Sequence, residues 1–356
     1  MKIAQVAPLI ESVPPKGYGG TERVVSYLTE ALVAQGHEVT LFASGDSVTA
    51  ADLVPIVDRS LRLHPRQPDP LVWHTVQLDE VCRRAASFDV VHFHADFLHY
   101  PLVRHWHTPC VTTLHGRLDL PDVVALHRHF HEHPVVSISN AQRAPLPDAN
   151  WCATVYHGLP PELYTYHPQP DDYFAFVGRV SVEKRLDRAI EIAIACNTRL
   201  RVAAKVDRAD RPYFEQTIQP LLGHPLVEFV GEIDESCKND FIGQARALLF
   251  PIDWPEPFGL VMIESMACGT PVVAYACGSV PEVMEDGITG RVVNTQAEAI
   301  DAARHIDRID RRACRQVFER RYSSAAMAEH YLQVYQTLMR TRTQQRTGTR
   351  AAEITM

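Results

Sequence analysis

Two glutamates lie eight residues apart, on either side of a glycine that follows an apolar segment. Glu256 and Glu264 flank Gly259, where a helix is predicted to begin before it stops at Gly269. Glycine lets a ligand approach the backbone, and the free N–H groups of a first helical turn favour a phosphate. Carboxylates bind sugar hydroxyls because each accepts two hydrogen bonds. On spacing alone, a capping glutamate and a surface glutamate explain the pair equally well.

Two cations, Arg179 and Lys184, follow a predicted strand that ends near Gly178. They precede the next predicted helix, and cations at the carboxyl end of a strand beside a helix N-terminus suit a diphosphate. The alternative is solvated charge that pairs with Glu183 or Asp187. An isolated Arg/Lys pair is usually of that second kind, so this segment alone does not establish a site.

The N-terminal half carries polar groups where predicted strands end. His94 and Asp96 follow one strand and His115 follows the next, and such strand ends line the ligand crevice of parallel sheets. Gly19 and Gly20 stand between the first strand and the first helix. The G-x-G-x-x-G and G-x-x-x-x-G-K patterns are missing, so a dinucleotide site or a P-loop is poorly supported. Close approach of a sugar or diphosphate to the glycines remains open, and a structural role is the alternative for each histidine.

Four histidines, at positions 127, 129, 131 and 133, raise the question of a metal site. On a helix only 127/131 and 129/133 share a face. No cysteine or carboxylate set follows at zinc spacing. We therefore expect a solvated helix face and no metal.

Size and composition limit the class of protein. The 356 residues exceed what one hydrophobic core usually serves, so two domains are expected. A net charge of −8 argues against a nucleic-acid coat or a polybasic membrane anchor as the overall design. Eight scattered cysteines without a C-x-x-C pair indicate reduced thiols in a cytosolic protein. No run of about 18 apolar residues is present, so no membrane span is expected.

Apolar runs that alternate with helical patterns must position these groups. Strands separated by helices imply parallel pairing with right-handed crossovers, and hence an α/β fold. The proline-rich segment 140–172 interrupts the alternation and marks a domain boundary. The predicted domains are 1–157 and 158–322. A helix at 323–340 and a flexible polar tail at 341–356 are expected to follow.

Taken in order along the chain, these motifs resemble the retaining glycosyltransferases of family four (group 1), which have the GT-B fold. The resemblance covers nearly the whole chain and implies two Rossmann-like parallel-sheet domains that face each other across a cleft. The N-terminal domain would lie on the acceptor side, and the last helix would cross back to it. The matching segments are the Gly-Gly loop, 178–184, 256–264, Cys268-Gly-Thr-Pro271, Gly278-Ser-Val-Pro-Glu282 and Gly287-Ile-Thr-Gly290.

The resemblance also implies roles for individual residues. Arg179 and Lys184 would bind the donor diphosphate and stabilise the leaving nucleotide. Glu256 would contact hydroxyls of the donor sugar, and Glu264 would hold the ribose. His115 would lie near the reacting face of the transferred sugar, so the expected catalytic set is Glu256, His115, Arg179 and Lys184. The remaining donor-binding residues are Gly19, Gly20, Gly178, Gly231, Glu232, Ile233, Pro257, Phe258, Gly259, Leu260 and Glu264, with His94 and Asp96 on the acceptor side. Lys205 lies where many relatives carry a glycine-rich turn after the second strand of the C-terminal domain, so it departs from the family pattern and joins the expected set as an additional cation near the phosphates.

The reaction implied by the resemblance moves a hexosyl unit from a nucleoside diphosphate sugar to a hydroxyl group, with retention. A UDP-sugar is the favoured donor and a GDP-sugar the alternative. Cations and helix N–H groups would meet the charge of the leaving diphosphate, so we expect neither a metal nor a cofactor. An epimerase of the same fold and a non-catalytic nucleotide-sugar-binding protein are the rival functions.

Partners and location follow from the same expectations. The acceptor would be a saccharide, a lipid-linked molecule or a small molecule, and no nucleic acid is expected. A cytoplasmic protein is the first expectation, with a peripheral position at the inner membrane face as the alternative.

Overall fold

The computed structural model describes residues 1–17, 19–95 and 97–354, with side chains described as far as residue 342. Its chain divides into two compact units. Unit 1 contains residues 1–138, 143–158 and the chain from 324 onward, and unit 2 contains residues 139–142 and 159–323. The sequence predicted that the chain passes from one domain to the other after residues 157 and 322. In the structure it passes between the two units after residues 158 and 323.

Unit 1 is built on a seven-stranded parallel sheet with the order β3-β2-β1-β4-β5-β6-β7. Its strands and first helices, in chain order, are β1 (Lys2–Val6), α1 (Gly20–Ala34), β2 (Glu38–Ala43), β3 (Asp52–Pro55), α2 (Pro70–Arg84), β4 (Val90–Phe93), α3 (Tyr100–Val103), β5 (Cys110–Thr113), α4 (Pro121–His129), β6 (Val135–Ser137) and β7 (Trp151–Thr154).

Apolar side chains hold this sheet from both faces. Val6, Phe42, Val91 and Phe93 are fully buried and belong to one cluster. Parallel strands covered on both faces need nearly continuous apolar runs, and these runs were the signal that predicted the strands. Polar side chains are nevertheless buried within the strands, such as Gln5 in β1, and further polar groups follow the strand ends.

Unit 2 is built on a six-stranded parallel sheet with the order β10-β9-β8-β11-β12-β13. Its elements are β8 (Tyr173–Arg179), α5 (Leu186–Ala195), β9 (Arg199–Lys205), α6 (Arg211–Tyr213), β10 (Val227–Gly231), α7 (Glu235–Gly243), β11 (Ala247–Phe250), α8 (Leu260–Cys268), β12 (Val272–Tyr275), α9 (Val280–Val283), β13 (Gly290–Val293), α10 (Gln296–Arg304) and α11 (Arg311–Arg321).

Residues 139–142 belong to unit 2 although the sequence placed the start of the boundary region in the first domain. The carboxylate of Glu282 accepts hydrogen bonds from the backbone N–H of Asn140 at 2.9 Å and of Ala141 at 2.8 Å. A charged side chain so far along the chain gives no local signal. The assignment of this short segment therefore depends on tertiary contacts.

The chain returns to unit 1 through α12 (Ser324–Ile354). Tyr331 and Tyr335 on this helix are fully buried in unit 1. The hydroxyl of Tyr331 lies 2.9 Å from Oγ1 of Thr113, and the hydroxyl of Tyr335 accepts a hydrogen bond from Gln5 at 3.1 Å. The helix continues past residue 340, where the sequence predicted a flexible tail.

Gly269 and Gly287 offer a matched test of packing at the end of the helix that carries Glu264. Both have φ of 79°, but a Cβ at Gly269 would lie 2.9 Å from the backbone O of Arg311. At Gly287 no described atom lies within 4 Å of the Cβ position. Gly269→Ala should lower the free energy of unfolding by about 3 kcal/mol, because left-handed strain and steric overlap add. Gly287→Ala should lower it by only about 1 kcal/mol. Urea unfolding curves measure both, and equal losses would contradict this account.

Candidate active site

Two cations lie side by side where neighbouring strands of unit 2 end. Arg179 is the last residue of β8 and pairs in register with Lys205, the last residue of β9. The Arg179 guanidinium lies 3.8 Å from Asp207 and 3.7 Å from Asp210. It is also 3.8 Å from Glu183, and Lys205 is 3.1 Å from Asp207. Partly exposed ion pairs of this kind are weak, so the cations can exchange them for an anionic ligand.

Lys184 lies among aromatic rings and a carboxylate. Its ammonium group donates to Oε2 of Glu256, and it lies 5.3 Å from the ring centre of Phe250 and 5.5 Å from that of Trp254. Nε1 of Trp254 donates to the same carboxylate oxygen at 3.0 Å. Only 18% of the Lys184 side chain and 11% of the Glu256 side chain are exposed. The predicted phosphate-binding cation and the predicted sugar-binding carboxylate are therefore paired with each other.

A second loop fixes the backbone around Glu256. Ser279 donates from its N–H to the backbone O of Glu256 and from its hydroxyl to the backbone O of Phe258, each at 2.9 Å. Gly278 has φ of 56°, and a Cβ there would lie 2.3 Å from the backbone N of Glu256. Only glycine fits such a close approach. The Gly278-Ser279 turn thus holds the acidic loop in place.

Helix α8 begins directly after this loop. Gly259 precedes it with φ of 79°, and a Cβ at this position would lie 2.8 Å from Cε of Met262. The first-turn N–H groups of a helix have no intrahelical partner, and they start here at Leu260. This end of α8 can therefore accept a phosphate. Pro257 and Phe258 are buried just before it, so the loop offers a ligand its main chain.

Glu264 lies about one turn into α8, and its side chain is only 4% exposed. Its Oε1 accepts a hydrogen bond from Nζ of Lys238 at 2.8 Å. Lys238 also lies 3.2 Å from Glu235, which accepts a hydrogen bond from the Tyr164 hydroxyl at 2.5 Å. Sequence reasoning missed Lys238. Its one local signal is a lysine in the helix that follows β10, and such lysines are common on solvated helix faces.

The segment expected beside the nucleotide base follows β10. Gly231 has φ of 78° and lies at an irregularity in the pairing of β10 with β9. Glu232 is exposed and Ile233 is half-buried. Gly178 lies in β8 opposite Ala204, and no described atom approaches within 4 Å of a Cβ placed at Gly178 or Gly231. The backbone at both glycines is open to a ligand.

The two glycines predicted at the start of α1 have different surroundings. Gly19 is buried, and a Cβ there would lie 2.8 Å from Cβ of Pro15 and 3.2 Å from Cγ of Glu11. Packing against Pro15 therefore explains this glycine without a ligand. Gly20 is exposed and is the first residue of α1, so its backbone is accessible.

His94 and His115 meet just beyond the ends of β4 and β5. Nδ1 of His94 lies 2.9 Å from Nε2 of His115, and the His115 ring stacks on that of His157 at 5.4 Å between ring centres. Burial lowers the pKa of His115 to about 3 and holds the pKa of His94 well below its ordinary value. Both rings are therefore neutral near pH 7. Asp96, the third predicted residue here, lies outside the described residues.

The histidines after position 126 do not form one solvated face. His129 and His131 are exposed, but His127 and His133 are buried. The expectation was wrong for these two: His127 is buried within α4, and the turn that follows α4 brings Nε2 of His133 to 2.8 Å from Oγ1 of Thr112. Within the described residues, no group of three or more His, Cys, Asp or Glu side chains could hold a metal ion.

Over the part of the chain that the structure describes, no helix is both long enough and apolar enough to span a lipid bilayer.

Two family models match the chain, one after the other. The model described as glycosyltransferase family 4 matches residues 18–150, and the model described as glycosyl transferases group 1 matches residues 165–316. The phosphatidyl-myo-inositol mannosyltransferase of Mycobacterium leprae is 25% identical over 370 aligned positions, and the match covers 95% of this chain and 97% of the relative.

Solved structures share the architecture. AviGT4, a glycosyltransferase involved in avilamycin A biosynthesis, is 25% identical with a TM-score of 0.74, and the match covers 96% of this chain and 98% of AviGT4. HepE of Anabaena, crystallised with UDP-glucose, is 17% identical with a TM-score of 0.70, over 95% of this chain and 99% of HepE. The expected fold of two Rossmann-like parallel-sheet units is confirmed. The two family models and the order of the motifs agree, and the chain belongs to the group 1 glycosyltransferases of family 4 and is a glycosyltransferase.

Proposed function

We propose that this glycosyltransferase moves a hexosyl unit from a nucleoside diphosphate sugar, with a UDP-sugar favoured, to a hydroxyl acceptor with retention of configuration. The proposal rests on the pairing of Lys184 with Glu256 at the start of α8. A diphosphate sugar carries an anion for the lysine and hydroxyls for the glutamate within one molecule. Its phosphate can therefore take the place of Glu256 beside Lys184, while its hydroxyls take the place of Lys184 beside Glu256.

The cations of unit 2 supply the electrostatic part of the reaction. The barrier depends on negative charge that builds on the departing diphosphate and on positive charge that builds on the sugar. Neighbouring strand ends set the backbone positions of Arg179 and Lys205, and Lys184 is largely buried, so the three cations are at this edge before the reaction begins. Preorganised groups of this kind lower a barrier most, because they need no reorganisation in the transition state, and one is worth about 3–4 kcal/mol. In this proposal they take the role that a metal ion plays in other transferases.

The ribose of the nucleotide is assigned to Glu264, about one turn further along α8. The Glu264 carboxylate is buried and positioned by Lys238 at 2.8 Å. A carboxylate with two oxygens can accept hydrogen bonds from two neighbouring hydroxyls, as a ribose ring presents. Gly231 and Ile233 would meet the base through main chain, which leaves the choice of base open. HepE, a neighbour of the same fold, was crystallised with UDP-glucose, and a starch synthase neighbour was crystallised with ADP.

A donor panel tests the proposal directly. UDP-, GDP- and ADP-sugars are screened first by thermal stabilisation of the protein and then, with simple hydroxyl acceptors, by identification of the product. We expect one UDP-sugar to stabilise the protein most and to give a glycoside with the anomeric configuration of the donor. Turnover should persist in excess EDTA. A product of inverted configuration, loss of activity in EDTA, or binding without any transfer or hydrolysis would each contradict part of the proposal.

Removal of either the Lys184 charge or the Glu264 charge should weaken the site. Lys184→Ala and Glu264→Ala are each expected to reduce donor affinity or turnover by about tenfold or more, since each removes a charged contact to the ligand. Isothermal titration with UDP and steady-state kinetics measure the two effects. Glu228→Ala, which breaks an exposed pair with Arg201, and Lys2→Ala serve as controls that should behave as the parent chain. Parent-like kinetics in both site variants would remove the assigned site.

Glu256→Gln separates the sugar contact from the phosphate contact. The amide keeps the shape of the side chain and can still accept the hydrogen bond from Trp254, while Lys184 loses its charged partner. Turnover should fall by about tenfold or more, because a charged hydrogen bond to the sugar becomes a neutral one. Affinity for UDP should stay unchanged or increase, since Lys184 no longer has to leave a carboxylate. A loss of UDP affinity equal to the loss of turnover would place Glu256 elsewhere than on the sugar.

A further inference from the structure

Three neighbouring strands of unit 1 place a series of buried, hydrogen-bonded polar side chains at one end of the sheet. Gln5 lies in β1, His94 follows β4 and His115 follows β5, and these strands are adjacent. Gln5 is completely buried and His94 is 3% exposed. Oε1 of Gln5 lies 2.7 Å from Nε2 of His94, and Nδ1 of His94 lies 2.9 Å from Nε2 of His115. The three side chains therefore form one continuous hydrogen-bonded chain.

The first link of this chain has a fixed direction. Nε2 of Gln5 donates to the hydroxyl of Tyr335 at 3.1 Å, which turns Oε1 toward His94. A carbonyl oxygen can only accept, so Nε2 of His94 must carry the proton. Burial holds the pKa of His94 well below its ordinary value, and a neutral ring has one proton. Nδ1 of His94 is then a bare acceptor.

The second link carries the same direction into His115. Because Nδ1 of His94 accepts, Nε2 of His115 must donate across the 2.9 Å contact. His115 is also neutral near pH 7, since burial lowers its pKa to about 3. Its only proton is therefore used in this bond. Nδ1 of His115 is left as an acceptor, and this buried atom has no hydrogen-bond partner among the described residues.

The hydrogen bonds on the amide-nitrogen side of Gln5 agree with this order of donors and acceptors. The Tyr335 hydroxyl accepts from Gln5 and can donate to Nδ1 of His92 at 2.7 Å. Nε2 of His92 then donates to Oγ1 of Thr113, also at 2.7 Å. Reversal of the Gln5 amide would reverse each of these bonds and place a proton on Nδ1 of His115. That would leave a buried N–H without an acceptor, and unpaired buried N–H groups are rarer than under-satisfied acceptors.

We propose that Gln5, acting through His94, fixes His115 as the tautomer protonated at Nε2, so that Nδ1 accepts a hydrogen bond from a hydroxyl of the sugar substrate. Gln5 and His94 are positioning residues in this scheme. It rests on the proposed function, since the family resemblance is what places His115 beside the transferred sugar. A site with a buried acceptor favours a sugar with a hydroxyl over one in which fluorine or hydrogen replaces it, because the acceptor is otherwise unpaired.

The tautomer can be measured on the free protein. Histidine labelled with nitrogen-15 gives long-range proton–nitrogen correlations that distinguish the two neutral tautomers, and the His115→Gln variant assigns the His115 signals. We expect His115 in the parent chain to be protonated at Nε2 throughout the range pH 6 to 8. In Gln5→Met, which keeps the side-chain length and removes the amide, both tautomers should appear. A parent His115 protonated at Nδ1, or a single unchanged tautomer in Gln5→Met, would overturn the proposal.

Kinetics test the consequence for the sugar. Gln5→Met should lower kcat by about fivefold to tenfold, the loss expected for one neutral hydrogen bond. Its affinity for UDP should be unchanged, because every residue proposed to hold the nucleotide belongs to unit 2. Gln77→Met is the matched control: Gln77 is also buried in unit 1, but its amide donates to the backbone O of Ala7 at 2.9 Å and of Phe42 at 3.2 Å, and neither bond involves a histidine. It should keep kcat within about twofold of the parent.

The outcomes separate this inference from the proposed function. If UDP does not bind the parent chain and no donor reacts, the proposed function fails, while the tautomer of His115 remains measurable. If donors react and the two methionine variants lose kcat equally, the effect of Gln5 is structural and the positioning role is wrong. Loss of kcat in Gln5→Met alone, with a mixed tautomer at His115 and parent-like UDP affinity, is the result that supports it.

Discussion

The contact between Lys184 and Glu256 is the interaction on which the proposed donor site depends. Both side chains are largely removed from water, and either charge would be strongly unfavourable there without the other. Under the proposed function, a ligand that compensates both groups together gains most from entering. A phosphate alone offers nothing to the carboxylate and a sugar alone offers little to the lysine. A sugar diphosphate would satisfy both, so the pair would favour a molecule in which the two chemistries are joined.

The rest of unit 2 serves to hold this pair in position. Parallel strands bring their carboxyl ends to one edge, which sets Arg179 beside Lys205. The backbone of Glu256 is clamped by the turn at Gly278 and Ser279, and the same loop continues into α8 toward Glu264. Because backbone contacts fix the loop, the carboxylate and the first-turn N–H groups keep their spacing when the lysine changes partner. That rigidity is what makes preorganised electrostatics effective.

Local patterns in the sequence predicted the two parallel sheets and the residues at their edges, and failed where a property depends on distant contacts. Alternating strands and helices with right-handed crossovers leave few topologies, so the sheets followed from apolar periodicity. Motif spacing identified Lys184 and Glu256 separately, but not that they pair, because 72 positions separate them and only the folded sheet brings them together. Lys238 was missed for the same reason. His127 and His133 were misjudged because tertiary packing buries them, His127 within α4 and His133 in the turn that follows it.

The polar groups discussed in unit 1 are neutral, whereas those in unit 2 are charged, and the proposed reaction gives a reason for the difference. In unit 2 the expected ligand contacts are charged and paired, whereas at the ends of β4 and β5 the rings of His94 and His115 are kept neutral by burial. A sugar that loses its diphosphate develops positive charge, and a protonated histidine beside it would raise the barrier. A neutral ring with its lone pair toward a hydroxyl places partial negative charge there instead. Under the proposed function, positive charge then belongs to the phosphate-binding residues of unit 2, and the low pKa that burial gives His115 suits a ring that has to stay neutral.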